Sequence, residues 1–136
     1  MTKRDWRMAS APSLAEIDTI AREAFAALPA RFRRLAGDVV VIVQEFADDD
    51  VVREMELESP FEIMGLYHGV DVGHRGDESG TLPSHVFLYR RPMLDYWAEH
   101  EETLGHLVRH VLVHEIGHHL GLSDEEMEAI EAEADQ

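Results

Sequence analysis

The sequence contains no cysteine among its 136 residues. This absence excludes disulfide bonds, zinc sites built from thiolates, and catalysis by a thiol nucleophile. Lysine and arginine are also scarce, with 12 of them against 28 aspartates and glutamates and a formal net charge of −16. Because a nucleic-acid-binding protein needs clustered cations for the phosphates, we expect no general nucleic-acid partner.

Long apolar runs are missing as well. No segment approaches the roughly 20 apolar residues that a transmembrane helix needs. No apolar stretch follows the charged residues 1–7 as it would in a secretory signal, so we expect a cytoplasmic protein without a membrane partner. The length predicts a single domain over residues 1–136, with residues 1–12 as a loose N-terminal arm.

The most informative pattern lies near the C-terminus, where the sequence reads H-E-x-x-H-x-x-G-x-x-D. Residues four apart on a helix share a face, so His114 and His118 can bind one zinc ion. Glu115 lies beside them, where a carboxylate can take a proton from a zinc-activated water. Gly121 can adopt the left-handed conformation that ends a helix, and the turn brings Asp124 back as a third ligand.

Three protein ligands with one open position are typical of catalytic zinc, whereas structural sites are usually closed by four. Glu128 and Glu131 are alternative third ligands on a later helix, although the chain between the motif and that helix is short for such a geometry. A site without a third protein ligand is the remaining alternative. Random placement gives the five-residue motif with roughly 7% probability, and the extension to Asp124 lowers this to about 0.1%.

Apolar periodicity predicts the helices. Ser13 and Glu16 predict a capping box, which an apolar stripe over residues 14–28 follows. A second stripe predicts the metal-binding helix over residues 101–120, and an acidic helix is expected over residues 124–134.

Three strands are predicted from the remaining apolar segments. Residues 39–43 are apolar throughout, so we expect them at the centre of the sheet with both faces covered. Residues 63–70 predict a strand interrupted by glycines, and residues 71–83 an exposed loop. Residues 85–90 are a candidate edge strand that could hold an extended peptide by strand addition. This order predicts an α+β fold, with a small mixed sheet packed against the N-terminal helix and the metal-binding helix.

Several other side chains are candidates for supporting roles. His110 lies one turn before His114 and is a candidate for a substrate contact or an outer-shell contact to the metal site. His119 is expected to contact solvent or cap the helix end. A donor to the tetrahedral oxyanion is also needed, and the candidates are Tyr67, His68, His74, His85 and Tyr89.

With these motifs, the chain resembles the minimal zincin-like metallopeptidases, a family of small bacterial proteins. The resemblance covers roughly residues 14–130 and rests on residues 66–70, residues 86–92 and the histidine motif. It implies a compact zincin fold in which His114, His118 and Asp124 hold one zinc ion and Glu115 is the catalytic acid and base. It implies no physiological substrate.

The motif also resembles that of the metzincins, with Asp124 where they usually have a third histidine. Metzincins have a Met-containing turn beneath the metal, well after the motif. Only twelve residues follow Asp124 here, and Met127 comes too early for that role.

The sequence therefore predicts a zinc-dependent metallopeptidase that hydrolyses a peptide or protein substrate. The alternative is a catalytically inactive zinc-binding or interaction module, because little chain remains to build specificity pockets. Hydrolysis of a non-peptide amide is a third possibility, and the oligomeric state stays open.

Overall fold

The computed structural model describes residues 5–68 and 84–135 of the chain. The helices are α1 Leu14–Ala26, α2 Ala30–Ala36, α3 Asp49–Glu54, α4 Arg90–Glu99, α5 Leu104–His119 and α6 Asp124–Ala134, and the strands are β1 Val39–Gln44, β2 Gly65–His68 and β3 Ser84–Tyr89. Short 3₁₀ turns lie at Trp6–Met8 and Pro60–Glu62. The loop expected at residues 71–83 and His74 lie outside the described residues. No described helix has both the length and the apolar character needed to cross a membrane.

The three strands form one mixed sheet in the order β1-β3-β2. β1 runs parallel to β3, with Val41 opposite Val86, and β2 runs antiparallel to β3, with Tyr67 opposite Val86. The expectation that β1 is central and covered on both faces is wrong. It pairs with β3 alone in the described part of the chain, and Val40 is 38% exposed. An unbroken apolar run shows that a strand is hydrophobic, but it does not determine with how many strands it pairs.

β3 is the central strand, so the prediction that it forms an edge is also wrong. Its backbone is hydrogen-bonded to β1 on one side and to β2 on the other, which leaves no row of donors and acceptors for a peptide. Among the described residues, β2 pairs only with β3. β2 also borders the histidine motif, because its Gly65 lies directly against Val111 and Glu115 of α5.

One face of the sheet packs against α1 and α5 and forms the main hydrophobic core. Val86 and Leu88 of β3 are fully buried together with Ile17 of α1 and Leu112 of α5. The predicted capping box at the start of α1 is confirmed, since Ser13 accepts a hydrogen bond from the Glu16 backbone. The sheet packs on the N-terminal helix and on the helix with the motif, which confirms the α+β fold.

The opposite face of the sheet is covered by a smaller cluster that includes Tyr89, Ala47 and Ile63. Side chains alternate along a strand, and Val86 and Leu88 point toward α5. His85 and Tyr89 therefore point the other way, as does His68, which is paired with His85. This division decides which residues of the sheet can reach the motif.

Candidate metal centre

α5 holds the motif on a helix that is fixed along most of its length. The Thr103 side chain accepts a hydrogen bond from the His106 backbone N–H and so caps the helix. The apolar side of the helix is buried, and its members are Leu104, Leu107, Val108, Val111, Leu112, Val113 and Ile116. The buried stripe leaves the histidines on the other side of α5, where three of them line a cleft.

Three histidines one turn apart form a ladder on this side of the helix. The ring centroids of His110 and His114 are 4.0 Å apart, and those of His114 and His118 are 5.5 Å apart. Nε2 of His118 lies 3.8 Å from Oδ1 of Asp124. One nitrogen or oxygen from each of His114, His118 and Asp124 lies within 4.8 Å of the others. The fold brings these three residues together, as the spacing of the motif predicts.

The turn after α5 delivers Asp124 to this position. Gly121 has a φ of +80°, the left-handed conformation expected from the sequence. The backbone N–H of Leu122 donates to the carbonyl of Gly117 at 2.9 Å, and that of Gly121 donates to the carbonyl of His118 at 3.1 Å. This pair of bonds is a Schellman motif, which satisfies the last carbonyls of α5 and reverses the chain. Asp124 is then the first residue of α6.

Glu115 lies in the same cleft on the side nearest to β2. Burial raises the pKa of its carboxyl above the ordinary value, while the charge of His118 and a hydrogen bond from the Tyr67 backbone oppose that rise. A carboxylate with a raised proton affinity is a stronger base near neutral pH. The local environment of Glu115 therefore suits a group that accepts and returns a proton.

Close packing of β2 on α5 shapes the cleft. A methyl group at Gly65 would lie 2.6 Å from Cγ1 of Val111 and 3.4 Å from Cγ of Glu115. Only a residue without a side chain lets the strand approach the helix so closely. The cleft measures about 360 Å³, and its lining includes Glu62, Met64, Gly65 and Glu115 with the histidines of the ladder.

Beneath the motif, α6 packs against α5 through a glycine and a methionine. Met127 is fully buried, and a methyl group at Gly117 would lie 2.8 Å from its Cγ. Met127 comes three residues after Asp124, so this contact sets how closely the start of α6 approaches the motif. Met127 therefore packs beneath the motif of α5, although it lies on α6 and not in a separate Met-containing turn like that of the metzincins.

Glu131, one of the two alternative third ligands, lies beside two histidines of the ladder. Its Oε2 lies 3.7 Å from Nε2 of His114 and 3.1 Å from Nδ1 of His110. The expectation that the chain is too short to bring a residue of the last helix to the motif is therefore wrong. α6 turns back directly along α5, and a seven-residue step from Asp124 to Glu131 returns to nearly the same face of the helix.

A family model described as zincin-like metallopeptidase matches residues 36–134 of this chain. The chain belongs to this family. The matched segment contains all three strands and both helices of the candidate metal centre. A comparison with curated proteins gives no match.

The family implies zinc binding, and the donors of this zincin-like domain fit a zinc ion. Nε2 of His114 is buried and has no hydrogen-bond partner among the described residues. Such an atom is costly unless another group satisfies it. Burial and then the neighbouring His110 lower the pKa of His114, which keeps the ring neutral as metal binding requires. Two imidazoles and one carboxylate are also a ligand set that zinc commonly takes.

The remaining candidates divide according to the face of the sheet. His68, His85 and Tyr89 lie on the face away from α5, so they do not reach the cleft of the zincin-like domain. Tyr67 lies on the same face as the motif, and its ring stacks on His119 with centroids 4.0 Å apart. His119 is exposed to solvent, as expected, and its ring also packs against Tyr67.

Proposed function

We propose that this zincin-like domain is a zinc-dependent peptidase in which His114, His118 and Asp124 hold the metal and Glu115 is the general acid and base. The observation that carries the proposal is the cleft, which is lined by His114, His118 and the half-buried Glu115, whose carboxyl has a raised pKa. Asp124 lies beside His118 and completes the set of three donors. His118 and Asp124 are exposed, so solvent and substrate have access to the donors from that side.

A zinc ion in this position would supply a Lewis acid for the peptide carbonyl and lower the pKa of a water molecule. Glu115 then takes the proton from the attacking water and passes it to the nitrogen of the leaving amine. Its raised pKa favours the first transfer. The hydrogen bond from the Tyr67 backbone favours the charged form of this carboxylate.

The substrate proposed for this site is an extended peptide segment. β2 borders the cleft through Gly65, and the adjoining Ile63 and Met64 also line it. A peptide beside β2 would take backbone hydrogen bonds from a strand that pairs only with β3 in the described part of the chain. Because Gly65 has no side chain, β2 itself lies close to Glu115, so a peptide paired with β2 would lie near this carboxylate.

The test is Glu115→Gln, measured with a library of fluorogenic peptides and with metal content by mass spectrometry. The amide has nearly the same shape but accepts no proton, so activity should fall roughly 10²–10⁴-fold while the bound metal is retained. Glu128, the other alternative third ligand, is exposed on α6 and belongs to neither group of possible metal ligands among the described residues. Glu128→Gln is therefore the matched control, since it makes the same chemical change and should leave activity unchanged.

Two results would count against the proposal in different ways. Full activity of metal-loaded Glu115→Gln would exclude Glu115 as the proton carrier. Stoichiometric zinc in the unaltered chain, with no cleavage of any peptide, would instead favour the inactive zinc-binding module.

A further inference from the structure

His110 and Glu131 form a polar pair beside the proposed zinc ligands, and the proposed mechanism uses neither. The pair is in contact through Nδ1 of His110 and Oε2 of Glu131 at 3.1 Å. The same carboxylate oxygen lies 3.7 Å from Nε2 of His114. One ligand atom from each of the three residues lies within 4.8 Å of the others. This set shares only His114 with the first.

The spacing of this second set suits a metal ion. Ligand atoms that lie about 2.0–2.2 Å from a tetrahedral zinc are separated by roughly 3.3–3.6 Å from one another. The two distances from Glu131, 3.1 Å and 3.7 Å, fall on either side of that range. The contact between His118 and Asp124 in the first set is 3.8 Å. By this measure the second set is as close to a metal geometry as the first.

The buried carboxylate of Glu131 is directed at the histidines. The residue is only 8% exposed, and a buried carboxylate needs a cation or hydrogen-bond donors. Arg109 faces one oxygen, Oε1, from 3.9 Å, and its Nη1 is already bonded to Asp135 at 2.7 Å. Nδ1 of His110 lies 3.3 Å from Oε1 as well, so it contacts both carboxylate oxygens, and Oε2 also faces His114. Both imidazoles line the cleft through which an ion would enter.

We propose that His110, His114 and Glu131 form a second metal position that takes a divalent transition-metal ion, adjacent to the proposed catalytic position. Imidazole and carboxylate donors suit zinc, cobalt and related ions. An ion there engages His114 without His118 or Asp124, so the two positions compete for that histidine. The inference rests on the proposed function only through the role of His114 as a ligand.

The experiment removes the first position and then asks whether the second still binds. In the double variant His118→Asn with Asp124→Asn, two of the three proposed catalytic ligands are lost at exposed positions, while the second set stays whole. The metal-free protein is titrated with Co²⁺ by calorimetry and by visible absorption. The double variant should still bind one Co²⁺ per chain with the strong absorption of a four-coordinate site.

Adding Glu131→Gln to the double variant should weaken Co²⁺ binding more than about 100-fold, beyond the 10–100-fold effect typical of a group outside the ligand shell. Adding His110→Asn should weaken binding to the same extent. Because His110 is partly exposed, this variant should fold and test the same site even if Glu131→Gln misfolds. The control is Glu128→Gln in the same background, with no expected change. Circular dichroism checks the fold of each variant.

The proposal is overturned if the double variant binds no Co²⁺, or if its binding survives both Glu131→Gln and His110→Asn. None of these readouts involves peptide cleavage. Absence of Co²⁺ binding would therefore not bear on the role of Glu115, and absence of peptide cleavage would not bear on the second metal position.

Discussion

Adding a methyl group at Gly117 tests whether the packing of α6 beneath the motif positions the metal ligands. In an open helix interior, Gly→Ala stabilises a protein by about 1 kcal/mol. Here the new Cβ would lie 2.8 Å from Cγ of Met127, a fully buried side chain that would have to shift. Overpacking of this kind costs about 1–3 kcal/mol. We therefore expect Gly117→Ala to lower the free energy of unfolding by up to about 2 kcal/mol.

The sign of this effect should reverse when the methionine is shortened. Met127→Ala alone removes a buried side chain and should cost about 2–5 kcal/mol. In that background the methyl group of Gly117→Ala enters empty space, and the gain in helix propensity returns as about 1 kcal/mol of stabilisation. The two substitutions should thus show a coupling energy of about 1–3 kcal/mol in a double-mutant cycle.

Equilibrium unfolding in urea measures all four proteins of the cycle, without metal. Gly105→Ala is the control, since a Cβ at that position of α5 has nothing within 4 Å. Cobalt affinity is the second readout, because a wider gap between α5 and α6 would move Asp124 away from His118. Equal stabilisation by Gly117→Ala in the unaltered chain and in the Met127→Ala variant would show that Met127 does not limit the space at Gly117.

Two further predictions concern the turn after the motif and the far side of the sheet. Gly121→Ala places a side chain at a φ of +80° and should cost about 1–2 kcal/mol; it should also weaken cobalt binding by displacing Asp124, whereas an unchanged affinity would show that the turn does not position this ligand. Burial raises the pKa of Tyr89 to about 12, so its contribution to stability is present below the unfolded pKa of about 10 and is lost as the pH rises toward 12. Between pH 9 and pH 12 the unaltered chain should therefore lose roughly 2–3 kcal/mol more than Tyr89→Phe in urea unfolding, and equal losses would contradict this.

The local features of the metal centre were predictable because each depends on a short stretch of sequence. Gly121 adopts the left-handed conformation, and α6 spans Asp124–Ala134 as the pattern of charges and apolar residues predicts. A capping box also starts this helix, in which Ser123 accepts from the Glu126 backbone. In each case the physical cause, a φ preference or an unsatisfied backbone N–H, acts within four residues.

The order of the strands was not predictable in the same way. β1 has the most apolar sequence of the three, yet it lies at an edge and leaves Val40 partly exposed. β3 alternates in polarity, yet it is central, because its two faces pack against different layers rather than against one core and solvent. Periodicity reports the burial of side chains, whereas strand order depends on backbone pairing between distant segments.

The position of Glu131 follows from the geometry of two antiparallel helices. That geometry is visible in the sequence as the spacing of the carboxylates on α6 relative to the spacing of the histidines on α5. On α5 the histidines recur every four residues, a rise of about 6 Å, while Asp124 and Glu131 are seven residues and about 10.5 Å apart on α6. Once the Schellman turn sends α6 back along α5, the first carboxylate meets the end of the ladder and the second meets its middle. The observed contacts follow this order, with Asp124 near His118 and Glu131 near His114. Two overlapping ligand sets are therefore predicted by a sequence pattern with three parts. These are an HExxH helix with a further histidine one turn before the motif, a tight turn after the motif, and two carboxylates seven residues apart on the next helix.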